Sequence, residues 1–248
     1  MRMPSVRERS RLDRRAHRLR RDFERSLASV EPALAERYGA VHADRLMHDA
    51  RDALARLAPR VPWVGGPRGV VFNAFLAITA QELAAFHAFR DHGHPPAEAW
   101  TWCHRALQAR LSTWPTWRRR LVAWLVGSPL TRRIVERRAR AGGTHRVGGF
   151  EVRYRAGDGA TFAFGVDYVR CANLDFVLEH DGASFAPFVC VSDVALSEAL
   201  GWGLARTETL ADGCARCDFR FRPGGPTLVR SALPHVQDAI VASSSEPA

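Results

Sequence analysis

The 248-residue chain contains no lysine; all 36 basic residues are arginine, and the formal net charge is +10. A basic set made of arginine alone reads as coding bias toward GC-rich codons, so the charge by itself does not point to nucleic acid. Ten arginines fall within the first 25 residues, but Glu8, Asp13, Asp22 and Glu24 are interleaved with them. Aromatic side chains do not interleave with these arginines as base stacking needs; the one present, Phe23, belongs to the apolar stripe. A solvated helix face laced with i,i+4 ion pairs is the preferred reading, and no nucleic-acid partner is expected.

The sequence also lacks an uninterrupted apolar run near the roughly 18 residues of a membrane span. Its N-terminus has no apolar segment of the signal-peptide kind. No stable membrane insertion is expected, and a cytoplasmic location with free thiols is the default. Cysteines are few and odd in number, five in all, so no disulfide framework is implied. Cys214-x-x-Cys217 has no second pair close in sequence, and His87, His92 and His94 lack His-x3-His spacing. No metal site and no cofactor are therefore expected. A charged content of 25% with 46% hydrophobic residues is that of a soluble globular chain with a sizeable core.

Apolar residues recur at helical spacing through the first half. Leu12, Ala16, Leu19, Phe23, Leu27 and Val30 form one stripe of a helix over 8–37. A second helix spans about 43–58, and Pro59, Pro62, Gly65, Gly66 and Pro67 then break the chain. The third, about 69–91, is apolar over most of its girth and must be central. It carries Asn73, whose amide either bonds to backbone or lines a pocket. A fourth runs over about 96–113, with Cys103 in the core. The basic stretch 115–141 is helical, broken near Gly127 and Pro129. Its Leu121–Val126 face is expected to pack inward, although such a segment can also lie on an anionic membrane.

At Gly142–Gly143 the period changes. Phe150, Val152 and Tyr154 alternate with charged residues, and Phe162, Phe164 and Val166 with small ones, flanking Gly157-x-Gly159 as a hairpin. Short helices follow at 171–179 and 193–200, then strands at 202–210 and 214–222 around an Asp212-Gly213 turn. The fold class is α+β: a helical half, 1–145, packed on an antiparallel sheet with inserted short helices, 146–240. The two form one integrated domain, with a disordered tail at 241–248.

Reactive groups gather between Cys171 and Phe221. Only Val191 separates Cys190 from Ser192-Asp193, either of which can cap the helix that follows. A thiol near a helix N-terminus has a lowered pKa and can act as a nucleophile; the bland alternative is a buried structural cysteine. Asp193 is either the cap itself or a carboxylate that activates water. Arg206 lies on the same strand face as Leu204 and Leu210, so it must find an anion. That anion is either Glu208 or Asp193, or the carboxylate of a substrate held bidentately. Thr209 would lie on the opposite face of a regular strand and reaches the same site only at a bulge or strand end. Cys217 shares a face with Phe219 and Phe221 and points toward the core or a pocket.

Cys171 to Asn173, Pro187-Phe-Val-Cys190-Val-Ser-Asp193, Arg206-Thr-Glu-Thr209-Leu-Ala-Asp-Gly213 and Cys217-Asp-Phe-Arg-Phe221 together resemble the L-2-amino-thiazoline-4-carboxylic acid hydrolase family. The likeness covers roughly residues 160–222 and extends more weakly to Asn73. It implies hydrolytic opening of a cyclic isothiourea acid, or a related tailoring reaction of natural-product metabolism, on a small carboxylate substrate. On that reading Cys190 and Asp193 are catalytic, and Arg206, Thr209, Asn73, Cys171 and Cys217 hold the substrate. The spacing from Gly213 to Cys217 and Phe219 is also similar to vinyl-reductase-like ligand-binding domains, which implies a sensor or carrier without chemistry. The long first helix allows a homodimer.

Overall fold

The structure, a computed structural model, describes residues 6–66 and 69–245. Glu8 and Leu12 of the first helix, Pro67 of the chain break and the last three residues of the tail lie outside what can be described in full. Helix α1 (Val6–Tyr38) buries Leu19, Phe23, Leu27, Val30 and Leu34 along one stripe. It stops at Gly39, whose φ of 83° suits glycine, and α2 (Ala40–Leu57) starts at once. Helix α3 (Gly69–Asp91) packs on α2 and on α4 (Pro96–Ser112).

Among the described residues α3 is the one helix long and apolar enough to cross a bilayer, a property missed in looking for an uninterrupted apolar run. More than half of that stretch is buried within the protein, and the buried part includes Gln81 and Glu82. It serves as the core helix.

The basic stretch forms two helices, α5 (Thr116–Gly127) and α6 (Pro129–Ala141), with the break at the expected place. Ser128 caps α6 by accepting a hydrogen bond from Thr131 N at 3.2 Å. The inward packing expected of Leu121–Val126 occurs only in part: Val122 and Val126 are half-buried toward the protein, with Val122 on the Leu107–Leu196 cluster, while Leu121, Trp124 and Leu125 are exposed.

Among the described residues, six strands form one sheet in the order β1-β2-β3-β5-β4-β6. They are β1 (His145–Val147), β2 (Phe150–Ala156), β3 (Phe164–Arg170), β4 (Leu204–Arg206), β5 (Cys217–Phe221) and β6 (Leu228–Val229). All pairings are antiparallel except β4 with β6, so the sheet is mixed at one edge. The β2–β3 hairpin turns through Gly157, where a Cβ would lie 2.3 Å from the Ala163 carbonyl oxygen. Asp158 closes that turn by accepting from the amides of Ala160, Thr161 and Phe162. These bonds, with one from the Thr161 hydroxyl, hold its carboxyl far below the usual range.

Register decides what the sheet offers to its core side. Phe164, Val166 and Tyr168 of β3 stand opposite Phe221, Phe219 and Cys217 of β5. Opposed residues share a face, so this face is aromatic with one thiol. The other face carries Asp167, which binds Arg155 at 2.6 Å and Arg220 at 2.7 Å. Burial alone would raise the Asp167 pKa; the two guanidinium hydrogen bonds hold it below the ordinary value.

Three short helices cross the sheet's inner side: α7 (Ala172–Glu179), α8 (Ala186–Val191) and α9 (Asp193–Leu200). Helix α8 is unforeseen; Pro187 fits its first turn. The last helix, α10 (Pro234–Ser245), runs through most of the stretch expected to be disordered. Buried Val236 and Ile240 dock it, a local reason for its order that the serine-rich end conceals. One cluster of buried side chains runs from Leu19 of α1 through α3, α4, α7 and α8 to Ile240, joining the helical half to the sheet region.

Candidate functional site

A cavity of about 390 Å³ lies between the inner face of β3, β4 and β5 and helices α3, α7, α8 and α9. Its walls are aromatic and aliphatic, including Phe75, Phe150, Phe164, Phe219 and Phe221. Cys171, Cys190, Asp193, Arg206 and Cys217 meet in it, from five separate elements or element ends. Thr79, Glu82, Thr131, Tyr168, Asn173, Ser192 and Trp202 add to its polar lining.

Arg206 ends β4 and is 1% exposed. Its Nη1 donates to Asp193 Oδ2 at 2.9 Å and to the carbonyl oxygen of Cys190. That carbonyl belongs to the last turn of α8, where helical partners run out. Nε and Nη2 of the same guanidinium are buried without a partner. The anion facing Arg206 within the protein is thus Asp193; Glu208 pairs with Arg216 at 3.0 Å instead. The strand expected at 202–210 ends early for a specific reason. Asp218 accepts hydrogen bonds from the amides of Thr207 at 2.8 Å and Glu208 at 2.7 Å, so a side chain replaces the next rungs of the ladder.

Asp193 opens α9 but caps nothing, and neither does Ser192: no side-chain cap bond is made there. Ser192 Oγ instead donates to Glu82 Oε1 at 2.6 Å, within the core. Burial raises the Glu82 pKa to about 8, an effect opposed by the Ser192 bond and reinforced by the nearby Asp193 charge. Burial also raises Asp193, to about 6, against the pull of Arg206. At neutral pH the cavity therefore holds one mostly neutral carboxyl, Glu82, and one mostly ionised carboxylate, Asp193.

The thiols follow a different order from that expected. Cys190 sits near the C-terminal end of α8, and its pKa is raised by its hydrogen bond to Cys217 and by burial. Cys217 is shifted down: it accepts from Cys190 and from Leu210 N at 3.2 Å, and Arg206 adds favourable charge, all against burial. Of this pair Cys217 is the more readily ionised and Cys190 is its donor. Burial pushes Cys171, at the start of α7, up to about 12. Tyr168 is raised further still by burial.

Two residues expected in the site lie elsewhere. Asn73 Oδ1 accepts from Val64 N at 2.9 Å and its Nδ2 donates to Val64 O at 2.8 Å, so both ends of the amide tie down the loop before α3. Thr209 is buried, and its Oγ1 accepts from Asp212 N at 2.9 Å, closing the turn that leads to β5. Neither lines the cavity. Cys214 is also outside the lining, so the C-x-x-C pair is divided between turn and cavity.

Glu82 is the main residue that reading the sequence missed. A signal was present: Phe75, Glu82, Phe86 and Phe89 follow helical spacing, which places an acid on the apolar stripe of α3. No protein-family model, curated protein or solved structure matches the chain.

Proposed function

We propose that the protein is a hydrolase of small carboxylic acids bearing an apolar body and a cyclic, amidine-like sulfur–nitrogen centre, of the 2-aminothiazoline-4-carboxylate kind. One observation carries this reading: the unpartnered Nε and Nη2 edge of buried Arg206, in an apolar cavity beside a hydrogen-bonded thiol pair. That edge matches a carboxylate bidentately, and burial strengthens the charge-assisted bonds. A volume near 390 Å³ falls within the range of about 300–1,000 Å³ typical of small-molecule sites.

In this scheme the Cys217 thiolate attacks the ring carbon between sulfur and nitrogen. The S–C bond to the enzyme forms, the ring C–S bond breaks, and the departing sulfur takes the proton of neutral Glu82. Water then attacks the enzyme-bound carbon while Asp193 accepts its proton; the Cys217–carbon bond breaks and the thiolate is restored. Proton return from Asp193 to Glu82 closes the cycle, and the product carries one added water as an N-carbamoyl group. Cys190 holds Cys217 in its thiolate form as a positioning residue.

A second reading, a sensor or carrier of the vinyl-reductase-like type, draws support from the breadth of the aromatic wall, which favours retention of an apolar ligand. Intact-mass measurement after mixing with 2-aminothiazoline-4-carboxylate and bulkier analogues separates the two. The hydrolase reading expects turnover and a transient adduct on Cys217, both abolished in Cys217→Ser. In Cys190→Ala, iodoacetamide should alkylate Cys217 about tenfold more slowly at neutral pH, because the donor is gone. Stoichiometric binding with no product after prolonged incubation would establish the carrier instead.

A further inference from the structure

The α5–α6 segment presents apolar side chains that nothing described in the fold covers. Trp117 is 66% exposed, Leu121 45% and Trp124 63%. Their spacing of four and three residues puts them on one stripe of α5. Exposed Arg118 and Arg120 flank that stripe on either side. The half-buried Val122 and Val126 lie on the opposite face, toward the protein. On α6, exposed Leu130 and Ile134 stand one turn apart with exposed Arg133 and Arg137 beside them. No acid occurs in α5; the one acid of α6, Glu136, faces Arg140 at 3.6 Å.

The cavity opens among these residues. Of the side chains that line it, only Val71 and Leu125 are exposed, and Val126 and Thr131 line it next to them. The mouth therefore lies between the start of α3 and the α5–α6 junction, beside the apolar stripe.

We propose that α5 and α6 seat the protein on an anionic lipid surface, with the cavity mouth toward the lipid. Tryptophan and leucine at one level, rimmed by arginine, are the composition of a helix lying in the headgroup region. Each arginine near an anionic leaflet strengthens attachment, and apolar side chains supply the rest. A twofold contact with a second copy fits poorly, because it would bring the same arginine rows together with no free acid between them. Single-stranded nucleic acid would suit the arginines and find planes in Trp117 and Trp124, but Leu121, Leu125, Leu130 and Ile134, the larger part of the apolar surface, offer no plane for a base. The docking does not depend on the chemistry assigned to the cavity.

The test is co-sedimentation of the full chain with vesicles. The expected result is binding to an equal mixture of phosphatidylcholine and phosphatidylglycerol, with little binding to phosphatidylcholine alone. Both Trp117→Ala/Trp124→Ala and Arg118→Gln/Arg120→Gln should weaken that binding by about tenfold or more. The four side chains are exposed, and Arg118 stacks on Trp114 at 4.0 Å, so these variants should melt close to the wild type, and retention of the cavity chemistry in them would separate docking from turnover. Equal binding to neutral and anionic vesicles, or variants that sediment like the wild type, would overturn the proposal. So would a wild-type dimer that the tryptophan variant dissolves, or an oligonucleotide that binds in place of the vesicles.

Discussion

Two clusters of titratable side chains among the described residues are built differently. One lies where α1 and α2 meet the α3–α4 turn. There Trp102 Nε1 donates to the Tyr38 hydroxyl at 3.0 Å, and that hydroxyl donates to Glu98 Oε1. Glu98 Oε2 lies 3.0 Å from His94 Nδ1, His94 Nε2 lies 3.2 Å from His42 Nε2, and His92 Nε2 lies 2.8 Å from Asp49. Each of these groups is satisfied by its neighbours. The other cluster is the cavity, where Arg206 Nε and Nη2, Glu82 Oε2, Asn173 Oδ1 and Trp202 Nε1 are buried with no protein partner. Buried polar atoms cost stability when unpaired, so a ligand that pairs them gains what the apo protein forgoes. Density of ionisable groups therefore does not identify the site; unmet hydrogen-bonding capacity gathered around one cavity does, whereas single unpartnered atoms such as Trp100 Nε1 and His145 Nε2 lie outside it.

The largest expected effect comes from Glu82. Its pKa is raised from 4.5 to about 8 in the folded protein, so the folded state holds the proton more tightly than the unfolded chain. The stability this confers is complete below pH 4.5 and is lost as pH rises through about 8. Glu82→Gln keeps an acceptor for the Ser192 hydroxyl and cannot ionise. Relative to wild type it should gain roughly 3–5 kcal/mol in urea unfolding between pH 5 and pH 9. A difference that stays flat with pH would show that Glu82 is not held neutral, and would remove the proton donor from the proposed cycle.

Next comes the anion clamp. Replacing Arg206 alone would strand the buried Asp193 carboxylate and confuse binding with folding, so the informative protein is Arg206→Gln/Asp193→Asn. Its affinity for 3-phenylpropanoate should fall by about 2 kcal/mol, roughly thirtyfold, while affinity for the neutral amide changes little. In wild type the acid should bind best near pH 5. There Asp193, with a pKa of about 6, has released Arg206, and the ligand is still largely ionised. Wild-type protein that binds acid and amide equally at every pH would place the clamp out of use.

How much of this could be read beforehand divides along the same line. Helices α1 to α6 follow from apolar spacing, and Cys190, Asp193 and Arg206 stood out as reactive groups within apolar sequence. Asn73 stood out equally, yet it is a clasp on Val64, because sequence shows that an amide needs a partner and not which partner it has. Thr209 was placed in the site by the resemblance alone; strand alternation already set it apart from Arg206, and its hydroxyl closes the turn to β5. The thiol order reversed because α8 was unforeseen: Cys190 precedes α9 as expected, but it also sits near the end of α8, buried and hydrogen-bonded to Cys217. Periodicity likewise marks α5 as amphipathic but says nothing of whether its apolar face is covered.

The smallest expected effect lies in the satisfied cluster and checks the distinction directly. Burial and the bond to Glu98 push the Tyr38 pKa up to about 12, so its hydroxyl stays a donor over the working pH range. Tyr38→Phe removes the oxygen that joins Trp102 to Glu98, leaving each short of one bond at a site only partly buried. The cost should be about 1 kcal/mol in urea unfolding, within the usual range for a lost side-chain hydrogen bond. None of the residues in this network lines the cavity, so 3-phenylpropanoate affinity should not move. A change in that affinity would mean that α3 and α4 transmit strain between the two clusters, and partnering within the cluster would no longer serve to set it apart from the site.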